Sequence, residues 1–409
     1  MDKLNTEEIL IVICCLIVLS YVFSIISRYL RIPSVLLLLF AGIGFRIVAD
    51  STNANIHFSD QLVESLGVVG LIMIVLEAGL DLKLEKSKVT LVRNSFLSAL
   101  FIFLISATLL TAVLHYWLNE PVNKCLVYAI PLSIMSSSIV IPSLHPLSPE
   151  KKEFLVYEAS FSDIIGILAF NFFAVESSIS LQSVGFFGLN IIISVVSSIL
   201  LSFLLMTIMA KTKLEIKFFL IFSLLILIYA GGKLFHLPSL IIILVFGLMI
   251  NNWEKIKWPS LLRFFPHEQV ADLRHLLHSV TAETSFLIRT FFFILFGFSI
   301  SLNFLSQQDI LLAGSIIVLA LFLIRVLYLR FFLRTNLFPE AFFIPRGLIT
   351  IVLFYKIPGR LKLGSFNDGI LFFIILVTSI IMTFGIIFYR KKQQDVVEEG
   401  QFSDRSDIL

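Results

Sequence analysis

Apolar runs of about 20 residues recur from one end of the chain to the other. A run of that length, coiled as a helix, crosses the hydrocarbon core of a bilayer while keeping its backbone polar groups paired within the segment. The runs are continuous rather than alternating, which argues against a barrel of strands. Composition agrees. The 409 residues are 58% hydrophobic and only 14% charged, with 42 phenylalanines. Mean hydropathy is +0.99, whereas soluble domains carry about a quarter charged residues.

The expected fold is therefore all-α and polytopic, with 13 candidate spans near 9–27, 33–49, 61–81, 94–116, 123–145, 153–175, 184–210, 215–233, 237–251, 283–304, 309–329, 338–356 and 369–389. The fifth and twelfth are the least regular. They contain SSSIVIPSLHP and IPRGL, so both are expected to be discontinuous helices. The start, MDKLNTEE, lacks the positive charge of a secretory signal, so the first run is expected to be retained. Cys14, Cys15 and Cys125 fall inside apolar runs and suggest neither a disulfide framework nor a metal site. The segment 252–280 mixes aromatic and basic residues, and part of it is expected to lie along the membrane interface. The transmembrane domain spans 1–389, and 390–409 reads as a short, polar, disordered cytoplasmic tail.

Basic residues orient the spans. With the N-terminus outside, the inner segments hold 21 lysines and arginines and the outer ones 7. Positive charge favours the cytoplasmic side, so the C-terminus is placed there and the chain in a cell membrane. One outer loop, KIPGRLK, runs against the trend, and Arg289, Arg325 and Arg346 lie within spans.

The chain also repeats itself. RIPSVLLLLFAG (31–42) matches HLPSLIIILVFG (236–247), and SFSDII (160–165) matches SFNDGI (365–370), both at an offset of 205. VIPSL (140–144) loosely matches FIPRG (343–347) at 203. The units begin an odd number of spans apart, so they face opposite ways. Two inverted repeats, about 9–175 and 215–389, containing broken helices are the architecture of secondary transporters.

Within YEASFSDIIGILAF, Asp163 lies eleven residues after Lys152 and thirteen before Glu176, which places it near mid-bilayer. An ionised carboxylate there is costly, so such residues are paired, protonated or functional. The plain alternative is a helix-packing aspartate. Desolvation disfavours the charged form of a carboxylate, which lets one group serve either a proton or a monovalent cation. Asp163 is the candidate site for both. Glu158 lies about 140° away around the helix and needs its own partner. Arg325 is the first choice, with Arg289 and Arg346 able to play the same part. Ser137 and Ser138 precede Pro142, and Ser162 adjoins Asp163. Their hydroxyls suit a hard monovalent cation, although serines also simply pack helices. Glu77 reads as a helix-end or packing residue. Asp368, the repeat mate of Asp163, reads as a boundary residue, and the histidines, His145 among them, fall at span edges or in loops.

These motifs resemble the monovalent cation/proton antiporter superfamily over nearly all the spans. RIPSVLLLLFAGIGFR and GVVGLIMIVLEAGLDL resemble its second- and third-span motifs, and EASFSD resembles the exchanger signature that ends in the transport aspartate. FLIRTFFFILFG and IPRGLITIVL resemble motifs near the tenth and twelfth spans. The resemblance implies a thirteen-span inverted-repeat fold, a homodimer, alternating access and a role in pH homeostasis. It also implies Asp163 as the ion carrier and a Glu158–Arg325 pair holding the core. Two features depart from sodium/proton exchangers. Ser162 stands where they carry Asn, and SSSIV has no acid; the serine-rich form is more like potassium-efflux systems. Electrogenic relatives have two adjacent acids and a nearby lysine, whereas here no lysine falls in the interior of a span, away from its ends.

The expected function is exchange of Na+ or K+ for H+, electroneutral at one for one. A gated cation channel or uniporter, or a non-transporting sensor on the same scaffold, are the alternatives. No enzyme chemistry, resident cofactor or nucleic-acid partner is expected. The expected partners are the transported cation and proton, membrane lipid and a second copy of the chain.

Overall fold

Helices form where the apolar runs are uninterrupted and break where proline and serine gather. The computed structural model describes residues 6–30, 33–51, 60–83, 86–144, 146–175, 181–211, 218–234, 239–255, 267–299, 307–333, 338–364 and 366–406. Arg31, His145, Glu176, the 235–238 part of the second repeat motif, Ser365 and 256–266 lie outside them. All regular elements among the described residues are helices, with no strand.

In chain order the helices are α1 (Thr6–Leu30), α2 (Ser34–Ser51), α3 (Asp60–Asp81), α4 (Val89–Leu118), α5 (Val122–Ser133), α6 (Ser137–Ser143) and α7 (Pro149–Val175). There follow α8 (Leu181–Lys211), α9 (Phe218–Leu234), α10 (Ser239–Asn251), α11 (His267–Ser299), α12 (Gln308–Tyr328), α13 (Leu348–Tyr355) and α14 (Asp368–Ser406). Among the described residues, six segments are long and apolar enough to cross a membrane: Ser34–Ser51, Val89–Leu118, Val122–Ser143, Val270–Ser299, Gln308–Leu333 and Asp368–Tyr389.

Both expected interruptions are present. α5 stops at Ser133, residues 134–136 are extended, and α6 resumes at Ser137. Residues 343–347 are likewise non-helical before α13 begins at Leu348. One expectation fails and one is narrowed. Of the segment expected to lie partly along the interface, residues 267–280 are the first turns of α11, and 256–266 lie outside the described residues. Val270, Leu273 and Leu277 are buried there, continuing the one-faced helical period into the span. Residues 390–406 are not a disordered tail but a continuation of α14. Helix nucleation is already complete within the span, and Lys, Gln and Glu propagate it well.

Two groups of helices emerge from the packing. In one, α2 and α3 lie against α11 and α10, with α8 and α9 behind α10. In the other, α4, α5, α6 and α7 pack together, and α12 joins α4 to α14. α13 stands between the groups, touching α3 and α11 on one side and α5 and α7 on the other.

Glycines close the first group. A Cβ on Gly297 would lie 2.5 Å from the Leu39 carbonyl, and one on Gly42 would strike the Ile294 carbonyl. A Cβ on Gly79 would lie 2.8 Å from the Leu244 carbonyl, and one on Gly247 would lie 3.1 Å from the Gly79 Cα. The α2–α11 and α3–α10 crossings are thus backbone against backbone, the close approach that small residues permit in membranes. Gly42 and Gly247 end the two copies of the first repeat motif. Each meets a glycine of a helix beyond the other copy.

The basic loop KIPGRLK also finds partners. Lys356 donates to the Tyr229 hydroxyl at 2.8 Å, and Arg360 donates to the Ala174 carbonyl, near the C-terminal end of α7, at 3.0 Å. A cation suits that end of a helix.

Gly42→Val should lower stability by about 1–3 kcal/mol, because the crossing must part to admit the side chain. Gly44→Ala, with open space around it, should be near neutral. Loss of monodisperse protein with temperature in detergent checks both.

Candidate functional site at two interrupted helices

Backbone groups freed by a helix break need partners inside the protein, because the membrane offers none. The interruption of α5 and α6 obtains them from three other segments. Ser136 N donates to the Pro345 carbonyl at 3.0 Å, so the two interrupted segments cross each other there. The crossing is tight: a Cβ on Gly347 would strike the Ser136 hydroxyl. Met135 N donates to Ser162 Oγ at 2.9 Å, and Ser137 N reaches Asp163 Oδ2 at 3.4 Å. At the C-terminal end of α5, Arg346 Nε donates to the Leu132 carbonyl at 2.5 Å and Thr350 Oγ1 to the Pro131 carbonyl at 3.1 Å.

Asp163 sits on α7 beside this crossing and is 2% exposed. One carboxylate oxygen accepts from Ser137; the other, Oδ1, is buried without a hydrogen-bond partner among the described residues. An unpartnered anionic oxygen in an apolar interior is expensive unless a proton or cation completes it. Ser162 commits its oxygen to the Met135 N–H, and Ser138 pairs its hydroxyl with Ser136 at 2.8 Å. Ser137 contributes its backbone N–H. The three serines named from the sequence are therefore gathered at the break, but two of them already hold other groups.

Glu158 faces away from Asp163, as the helical angle requires, and stands on the Ser162 side of α7. Arg325 of α12 grips it with two bonds, Nη2 to Oε2 at 2.8 Å and Nη1 to Oε1 at 3.1 Å. Ser98 of α4 adds a third at 2.5 Å, and Arg325 Nε donates to the Glu340 carbonyl at 2.6 Å. Both charged side chains are at most 2% exposed. This fork-to-fork pair ties α4, α7, α12 and the 340–342 turn together. Glu340 in turn accepts from Lys151 at 2.5 Å, and Lys151 also donates to the Phe338 carbonyl.

The other two arginines do not join Glu158. Arg289 of α11 lies 3.8 Å from Glu77 of α3, in the first group of helices. Glu77, read from the sequence as a helix-end or packing residue, is thus half of a charged pair. Arg346 is 2% exposed and, among the described residues, meets carbonyls rather than a carboxylate. Its charge lies at the negative end of the α5 helix. Thr378 holds its backbone N–H at 3.2 Å. A small cavity beside these groups is lined by Ser133, Met135, Glu158, Ser162, Arg325 and Arg346.

Asp368 stands at the first turn of α14, where Asn367 caps the Gly369 N–H at 2.8 Å; it is a boundary residue and no second Asp163. Sequence reading missed Ser98, Lys151, Glu340, Thr350 and Thr378. Glu340 carried a usable signal, an acid between Pro339 and a run of aromatics. The hydroxyl residues carried none.

With this geometry in view, known proteins were compared. No curated protein matches the chain by sequence. Among solved structures, the sodium proton antiporter MjNhaP1 of Methanocaldococcus jannaschii at pH 8 superposes with a TM-score of 0.70 at 18% identity, covering 95% of this chain and 100% of that one. A second structure of MjNhaP1, from an electron-microscopy map, gives 0.64 at 19%, covering 95% and 96%. At these identities the likeness establishes the fold. The family model for sodium/hydrogen exchanger transmembrane domains matches residues 15–391, nearly the whole chain. The chain belongs to the sodium/hydrogen exchanger family, and is a multi-pass membrane transporter rather than an enzyme.

Proposed function

We propose that the protein exchanges a monovalent cation for protons by alternating access, with Asp163 as the shared carrier. The observation that carries this reading is the buried carboxylate whose Oδ1 lacks a partner beside the crossing of two interrupted helices. A proton or a cation completes that oxygen, and neither leaves room for the other. Ser137, Ser138 and Ser162 shape the break around it, and main-chain carbonyls freed at 133–135 are available oxygens. Glu158 and Arg325 are the clamp that holds the carrier helix against α12. Arg289 and Arg346 are supporting cations, the first with Glu77 and the second at the α5 terminus.

Charge balance favours electroneutral exchange. The Glu158–Arg325 and Lys151–Glu340 pairs cancel internally. Arg346 is then matched by Asp163 when that carboxylate is empty. One proton or one monovalent cation adds the same single charge, so a one-for-one cycle moves none. The serine-rich break, without an acid, keeps K+ beside Na+ as a candidate cargo. The membrane orientation follows the 21-to-7 basic asymmetry, N-terminus outside and C-terminus in the cytoplasm. The glycine crossings of the repeated motifs support a pair of inverted repeats. Exposed apolar rows on α1 (Ile11, Val18, Val22, Ile25) and α8 (Leu189, Ile192, Val196, Leu200) suit lipid and the homodimer this reading includes.

In proteoliposomes with a pH-reporting dye, Na+ or K+ should drive proton movement that Asp163→Asn abolishes. Cation conductance without proton coupling in the variant would indicate a channel; an unchanged cation response would indicate a sensor. A 100 mV membrane potential should change the wild-type rate less than about twofold, since each charge moved would be worth about 2.3 kcal/mol. Strong voltage dependence would refute the one-for-one cycle. For the clamp, Glu158→Leu should cost about 3–5 kcal/mol by stranding Arg325. The Glu158→Leu/Arg325→Met double variant should recover much of that loss in a detergent melting assay.

A further inference from the structure

We propose that Ser160 is a specificity-determining ligand, whose hydroxyl oxygen binds the monovalent cation at Asp163 from the flank of α7 opposite the α5–α6 break. The proposal rests on the antiport reading of Asp163 and extends it to a residue outside the motif that carried that reading.

Ser160 is 0% exposed, and its hydroxyl has no hydrogen-bond partner among the described residues. Many helical hydroxyls in this protein bond their own backbone instead. Ser133, Ser198, Ser202, Thr111 and Thr378 all donate to the carbonyl four residues back, at 2.5–2.8 Å. The same carbonyl, that of Val156, is open to Ser160, yet no such bond forms. A buried hydroxyl that forgoes its local acceptor costs free energy unless something else completes it.

Position says what completes it. Ser160 lies three residues before Asp163, about 60° around α7 and about 4.5 Å along its axis. Side chains so spaced are neighbours, with Cβ atoms about 5–6 Å apart. Two buried oxygens without partners, Ser160 Oγ and Asp163 Oδ1, therefore stand one turn apart on adjoining faces of one helix. Ser106, Ser194, Thr281 and Ser379 also have hydroxyls without partners among the described residues. They lie on α4, α8, α11 and α14, and Ser160 alone of these is on α7.

The flanks of α7 separate the roles further. On one side of Asp163, Ser162 holds Met135 N and Gly166 packs against Ile134, so that flank faces the break. On the other, Tyr157 donates to the Lys83 carbonyl at 2.6 Å, so that flank faces the segment after α3. Ser160 falls between Asp163 and Tyr157. The break thus supplies oxygens from one side and Ser160 supplies one from the other. A hard cation leaving water needs oxygens around it, not on one face only.

The test is cation titration of purified protein, read as the shift in melting temperature with Na+, Li+ and K+, alongside transport in proteoliposomes. In Ser160→Ala, the concentration giving half the thermal stabilisation should rise about tenfold for the best-bound cation, the scale of one lost charge-assisted contact. The order among the three cations should change, and the transport half-saturation should follow. Ser106→Ala should match the wild type. If Ser160→Ala does not fold, Ser160→Cys keeps the volume and replaces a hard oxygen with soft sulfur, and the same rise is expected. A half-point within about twofold of wild type for all three cations would overturn the proposal. So would an equal rise in Ser106→Ala, or a wild type that no cation stabilises. Binding that depends on Ser160 without cation-driven proton movement would uphold the ligand and reject the antiport reading.

Discussion

The arrangement depends on one requirement: backbone hydrogen-bonding groups at a helix break cannot be left bare inside a membrane. Residues 134–136 expose such groups, and polar side chains and main chain from α7, α13 and the 343–347 segment are directed at them or at the adjoining end of α5. Ser162 takes one N–H, Asp163 another, and Pro345 a third through its carbonyl. Arg346 and Thr350 cover the carbonyls at the end of α5. Asp163 is therefore at once a structural acceptor and the carrier of an incomplete oxygen. A single carboxylate joins the integrity of the break to its occupancy.

The charged residues divide by the same logic. Glu158 has both oxygens engaged, with one bond from Ser98 and two from Arg325. Asp163, five residues on, has one bond and a vacant oxygen. Two carboxylates on one helix have opposite fates because about 140° of rotation gives them different neighbours. An ion pair as buried as Glu158–Arg325 is weak support for net stability. Its contribution is better described as registry, fixing α7 against α12 and the 340–342 turn.

Much of this was legible in the sequence, for reasons tied to particular residues. Helix lengths follow from apolar run lengths, and the two interruptions follow from Ser136–Ser138 with Pro142 and from Pro345. The separation of Glu158 from Asp163 follows from helical geometry alone. The extension of α11 back to His267 was readable in the spacing of Val270, Leu273 and Leu277, but the aromatic and basic residues before it drew the reading toward the interface. The partners of Arg289 and Arg346 were not readable. Arg289 finds Glu77 across a helix crossing, and Arg346 finds main-chain carbonyls, which leave no mark on composition or period. Ser162 was readable as an oxygen near Asp163 but not as the acceptor of the Met135 N–H, for the same reason.

The glycine crossings of α2 with α11 and α3 with α10 have a mechanical consequence. Where main chains touch, neither helix can turn about its own axis without driving a carbonyl into its neighbour. Those four helices therefore act as a frame with no internal play. The surface between the two helix groups is built differently. Leu348 and Val352 of α13 meet the open faces of Gly70 and Gly67 through methyl groups, which slide more readily than interlocked backbones. Displacement of one group past the other would be taken up along that smooth seam, with the frame as the stationary part.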